Sequence, residues 1–198
     1  PAHYFSLPGF AWDAMLRMTG VHLKLMRDRE MHDIIDKGTR GGISCISHKH
    51  AVANNPLIPE TYDSSRPHSY ITYLDMNNLY GTAMVEPLPE SNFKWLSDEE
   101  ATTLDFASVP DDSPVGYILE VDLEYDSDLH HLHSDYPLAP ESSVIDPNDL
   151  SPYTNSLANK LGIKSTGGCR KLIATLKPRR RYALHYRNLK LYVRLGMK

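Results

Sequence analysis

An apolar run, Tyr70-Ile71-Thr72-Tyr73-Leu74, ends on a single carboxylate, Asp75. A polar turn follows, Met76-Asn77-Asn78, and then Leu79-Tyr80-Gly81. Tyr, Ile and Thr favour a pleated, half-buried backbone, so the run predicts a strand that delivers Asp75 at its end. An Asp in that place is often only a turn former. It is also what metal-dependent phosphoryl transfer requires: a fixed carboxylate with free backbone N–H groups in the turn beside it.

Charge is sharply partitioned along the chain. The net charge of −4 averages three unlike blocks. Residues 1–96 carry 9 Lys/Arg and 10 Asp/Glu; residues 97–149 carry 15 Asp/Glu and no Lys/Arg; residues 150–198 carry 12 Lys/Arg and no Asp/Glu. The basic block has tyrosines interleaved: Lys177, Arg179, Arg180 and Arg181 lie next to Tyr182, Tyr186, Arg187, Lys190, Tyr192 and Arg194. That composition predicts a nucleic-acid footprint on the backbone. A solvated face, or a localisation signal at Lys177–Arg181, are its competing readings.

Other local signals are plainer. Residues 11–38 are predicted helical, with Met31–Lys37 a short second segment stopped by Gly38. Arg40-Gly41-Gly42 predicts a turn that only glycine makes cheaply, and Ile43–Ser47 a strand pairing antiparallel with Tyr70–Leu74. Residues 54–69 predict a hairpin-like connection. Leu79–Val85 begins a helix, ended by Pro87 and Pro89. Asp98-Glu99-Glu100 behind Ser97 is a helix start. Tyr117–Tyr125 alternates apolar and acidic residues, the clearest strand pattern present. Residues 107–115 read as a linker and 134–156 as a Pro- and Ser-rich stretch. Leu172–Leu176 and Tyr182–Tyr186 predict strands around a Lys177–Arg181 turn, and Asn188–Leu195 a helix closed by Gly196. His48-Lys49-His50 and His130-His131-Leu132-His133 match no standard zinc spacing. Cys45 and Cys169 have no CxxC spacing, and Asn-x-Ser/Thr sequons are absent. A reduced intracellular compartment is the simplest expectation. No apolar run reaches about 18 residues, so no membrane span is expected. A start at Pro1 suggests a piece of something longer.

Asp75-Met76-Asn77-Asn78-Leu79-Tyr80-Gly81 resembles motif A of family B DNA polymerases: Asp, two residues, Ser or Asn, Leu-Tyr-Pro. It is most similar to the protein-primed branch found in viruses, organellar plasmids and self-synthesising transposons. Four further stretches resemble that branch in order. Thr39-Arg40-Gly41-Gly42-Ile43 looks like the Tyr-x-Gly-Gly segment before the polymerase domain. Gly116–Leu123 and Asp135–Glu141 look like the strand and turn after motif A. His185–Tyr192 resembles a segment shortly before the fingers. Two positions depart from the pattern: Thr39 stands where the family has Tyr, and Gly81 where it has Pro.

The resemblance implies an α+β fold, the antiparallel-strand palm portion of a family B polymerase with an inserted α+β subdomain. Residues 1–43 would connect an exonuclease to the palm, 44–90 would form the first palm half, and 91–198 would be an insertion of terminal-protein-region type. It implies that Asp75 and the Met76 carbonyl hold Mg²⁺, and that Met76, Asn77, Asn78, Leu79 and Tyr80 meet the incoming nucleotide, with Tyr80 against the sugar. It implies DNA contact by Arg40, Gly41, Gly42, Lys177, Arg179, Arg180, Arg181 and Arg187. The implied partners are primer–template DNA, dNTP and a terminal-protein primer, with no membrane, in a host nucleus or viral replication site. The family's second carboxylates, in an Asp-Thr-Asp motif, and its fingers residues do not occur before Lys198. The chain alone is therefore expected to be inactive. The rival reading is a non-catalytic DNA-binding or protein-docking module.

Overall fold

The computed structural model describes residues 2–163 and 170–198. Its elements run α1 (Leu7–Thr19), α2 (Arg29–Gly38), α3 (Leu79–Met84), α4 (Asp98–Thr103), β1 (Ile118–Leu123), α5 (Ser127–His133), β2 (Glu141–Val144), a 3₁₀ turn (Pro147–Asp149), α6 (Pro152–Lys160), β3 (Arg170–Ile173), β4 (Arg179–His185) and α7 (Tyr186–Arg194). The class is α+β: helices with two small antiparallel sheets, β1 with β4 and β2 with β3. Cys169 and Lys164 lie outside the described residues.

The core is built by the C-terminal part of the chain. Leu123, Tyr125, Leu138, Ala139, Tyr182, Leu184, Leu189 and Met197 form one buried cluster, with Phe106, Leu119 and Val121 packed on it. Alternation explains the contribution of β1, whose apolar face turns inward while Glu120 and Asp122 face β4 cations. Gly196, at φ 101°, ends α7 and lets the chain turn Met197 into this core. Glu124 and Lys198 exchange backbone hydrogen bonds, which fix that end beside β1.

Helix starts follow their caps. Ser97 accepts from the Glu100 N–H while the Glu100 carboxylate accepts from the Ser97 N–H, a reciprocal cap that starts α4 as expected. Asp28 accepts from Glu30 and Met31 and takes the Trp95 indole N–H at 2.8 Å, tying α2 to the 90–96 segment. The helical expectation over 11–38 is interrupted: Gly20, at φ 69°, closes α1, and residues 20–28 are not helical. Residues 54–69 form a loop closed by two buried asparagines. The Asn54 amide donates to the carbonyls of Asp63, Arg66 and Pro67, and Asn55 to that of Ser69.

Three expectations are corrected. Ile43–Ser47 and Tyr70–Leu74 form no strands and do not pair; Ile71, Tyr73 and Leu74 are exposed. A strand needs a neighbour for its N–H and C=O groups, and among the described residues neither segment provides one for the other. Gly41 and Gly42 have no left-handed φ, so that segment is not a glycine-dependent turn. Lys177–Arg181 is not a hairpin turn: β4 begins at Arg179 and pairs with β1, while β3 pairs with β2. Between Val121↔Tyr182 and Leu123↔Arg179 the register slips, so Arg180 and Arg181 together oppose Asp122. Within the Pro- and Ser-rich stretch, Pro147–Asp149 is a 3₁₀ turn, and β2 and most of α6 also fall there.

Candidate functional site

The Asp75–Gly81 turn has a specific local architecture. Asn78 adopts a left-handed conformation, φ 51°, and caps α3. Its side-chain oxygen accepts from the Gly81 N–H at 3.2 Å, and its carbonyl accepts from Thr82 at 2.9 Å. Asn tolerates this region better than most residues. A Cβ on Gly81 would lie 2.2 Å from the Asn78 amide nitrogen. Glycine therefore stands at position 81 because the Asn78 side chain already fills that space.

Asp75 lies in exposed, extended backbone just ahead of this cap. Among the described residues it makes no hydrogen bond and no ion pair. Met76, Leu79 and Tyr80 are also exposed, Tyr80 at 81%. Asp75, unpartnered among the described residues, thus precedes α3 by four positions in the chain, and Tyr80 is exposed in the first turn of that helix. As a test of Mg²⁺ fit, one carboxylate and one backbone carbonyl at Met76 supply part of an oxygen donor set; Mg²⁺ commonly completes such sets with phosphate oxygens and water. Among the described residues no group of three His, Cys, Asp or Glu side chains is arranged to hold a metal ion. The histidine segments fit that finding. His48 pairs with Asp135 at 3.2 Å, and His133 Nδ1 lies 2.7 Å from the Tyr125 hydroxyl.

The implied DNA-contact residues divide by environment. Arg179 is 2% exposed. Its guanidinium donates to the carbonyls of Ala139, Thr175 and Lys177. Here Arg179 holds two loops together, with its guanidinium turned to these carbonyls. Arg40 donates to the Ala183 carbonyl at 2.7 Å and stacks over the Tyr182 ring at 3.8 Å. It fastens the segment after α2 to β4, where Gly38 also approaches Ala183 closely. Gly41 and Gly42 have no side-chain neighbours.

Lys177, Arg180, Arg181 and Arg187 are each engaged by carboxylates. Lys177 meets Asp149 at 3.1 Å. Arg180 meets Glu124 at 2.5 Å and Asp122 at 3.6 Å. Arg181 meets Glu120 at 2.8 Å, and Lys37 reaches the same carboxylate at 2.6 Å. Arg187 meets Glu86 at 2.8 Å. The acidic and basic blocks that the sequence keeps apart are thus folded against each other. The bulge is what allows it. Strict alternation would send Arg181 inward with Arg179; the left-handed φ of 50° at Arg181 keeps it outward, and its N–H donates to the Asp122 carboxylate. The lysine and arginine beside Glu120 hold its carboxyl below the usual range. Exposed pairs of this kind are screened by water and salt and contribute little each.

Sequence reasoning did not single out Asn78 as a helix cap or Glu86 as a partner of Arg187. The Asn before a helix start was a usable signal for the first; nothing local signals the second. No helix among the described residues is long and apolar enough to cross a membrane. No family model, curated protein or solved structure matches this chain.

Proposed function

We propose that the chain is the motif A part of a protein-primed family B DNA polymerase, with the insertion that follows it. The observation that carries this reading is the Asp75–Tyr80 turn: a carboxylate with no partner among the described residues, a capped helix start behind it and an exposed Tyr80. The ordered resemblances upstream and downstream support it. In the intact enzyme Asp75 and the Met76 carbonyl would hold Mg²⁺, which neutralises phosphate charge and favours attack at phosphorus. The turn amides would meet the triphosphate, and Tyr80 would exclude a 2′-hydroxyl. Primer–template DNA, dNTP and a terminal-protein primer are the proposed partners. The chain alone supplies one of the required carboxylates and should not extend a primer.

The test is primer extension by the intact polymerase carrying Asp75→Asn. Incorporation should disappear while thermal stability stays near that of the parent, because Asp75 has no structural partner to lose. Parental incorporation rates in the variant would refute the assignment.

A further inference from the structure

A groove of about 320 Å³ lies between the loop after α4 and one face of α7. Arg187, Lys190 and Arg194 occupy that face at spacings of three and four residues, which brings them together on a helix. Phe106, Ala107 and Leu191 give the groove an apolar wall. Asp111 is the acid lining it, bonded to Lys190 at 2.7 Å. Its carboxyl is held below the usual range, first by Lys190 and then by the charges of Arg187 and Arg194. Arg187 turns partly away, toward Glu86. Arg194 makes no hydrogen bond or ion pair among the described residues.

The charge balance here differs from that on β4. There, Lys37, Arg180 and Arg181 face three carboxylates, Glu120, Asp122 and Glu124. Here, Arg187, Lys190 and Arg194 meet two, Glu86 and Asp111, which leaves the charge of Arg194 in surplus among the described residues. Like charges on neighbouring turns repel, so the surplus has a standing cost that an anion removes. Two guanidinium groups and an ammonium offer more donors than the two oxygens of a carboxylate accept, which favours a phosphate. The volume sits at the small end of ligand sites, about 300–1,000 Å³, and suits one nucleotide unit.

We propose that this groove binds the phosphate of a nucleotide, with Arg194 and Lys190 as its ligands and the Phe106–Leu191 wall against the rest of the unit. The site is separate from the Asp75 turn and does not rest on the polymerase reading.

The experiment titrates the whole chain with dAMP, deoxyadenosine and the dinucleotide d(ApA) lacking a terminal phosphate, at low salt, by calorimetry or amide chemical shifts. A phosphate ligand should bind at least about tenfold more tightly than deoxyadenosine, as expected for charge-assisted hydrogen bonds. Arg194→Gln should weaken it about three- to tenfold without altering the thermal transition, since Arg194 has no structural partner to lose. Lys160→Gln, on α6 and outside the groove, should bind as the parent does. Preference for dAMP would identify a free nucleotide, and preference for d(ApA) a strand backbone; both support the phosphate site. Equal binding of deoxyadenosine, no binding of either phosphate, or an unchanged Arg194→Gln would overturn it. Because the readout is binding and not primer extension, this outcome stays distinct from the fate of the polymerase proposal.

Discussion

Asn78 and Gly81 are matched to each other: the Asn78 side-chain oxygen accepts from the Gly81 N–H at 3.2 Å, and a Cβ on Gly81 would meet the Asn78 amide at 2.2 Å. Gly81→Ala should therefore expel the cap and loosen α3 by about 0.5–2 kcal/mol. Asn78→Gly keeps the left-handed backbone at little cost and should lose only a few tenths of a kcal/mol. Asn78→Ala loses the cap and also strains a left-handed residue, by about 1–2 kcal/mol. Amide exchange at Thr82 and Ala83 reads all three. Parental exchange in Asn78→Ala would count against the cap.

Arg179 is a structural cation. Arg179→Met should leave the carbonyls of Ala139, Thr175 and Lys177 without their donor and cost about 3–5 kcal/mol, measured by denaturant unfolding. Arg179→Lys should not restore the parent, because one ammonium cannot reproduce a planar fork. A loss below about 0.5 kcal/mol in Arg179→Met would contradict the burial of its hydrogen bonds.

Stability should fall on acidification in two steps. His185 is held below its ordinary value, first by burial and then by Arg187. A base with a depressed folded pKa contributes stability that is present above its unfolded pKa, about 6.5, and is lost as pH falls below it. Glu120 is depressed by Lys37 and Arg181, so its contribution is present above about pH 4.3 and is lost as pH falls through its lower folded value. His185→Gln should remove the step below pH 6.5, and Glu120→Gln should flatten the one below pH 4.3. Thermal unfolding from pH 8 to 3 tests both. A His185→Gln curve parallel to the parent across the upper step would exclude His185 as its source.

Local chemistry was legible in the sequence, and long-range pairing was not. The alternation of Leu119, Val121 and Leu123 with Glu120, Asp122 and Glu124 located β1, and Ser97 with three acids located the start of α4. Both signals lie within a few residues of what they specify. The partner of β1 is about sixty positions away, and its bulge depends on Arg181 taking a left-handed φ that nothing nearby requires. Tyr70–Leu74 carries strand residues but finds no neighbour, so propensity alone did not make a strand. Arg179, Arg180 and Arg181 read as one basic cluster. Their fates diverge because Arg179 enters the core and its neighbours meet acids 56 to 61 residues upstream. In the Asp75–Gly81 turn the helix start at Leu79 was legible, and the Asn78–Gly81 fit was not.

Sugar selection by Tyr80 tests the motif A assignment most directly. Many lesions abolish nucleotide incorporation, but a change in sugar preference requires a side chain against the ribose. The measurement is the ratio of dNTP to rNTP incorporation efficiency in the intact polymerase, parent against Tyr80→Val. The account predicts that the ratio falls by at least about tenfold, a change of about 1.4 kcal/mol in discrimination, mainly through gain of ribonucleotide use. A ratio equal to the parent's, with dNTP incorporation retained, would contradict it.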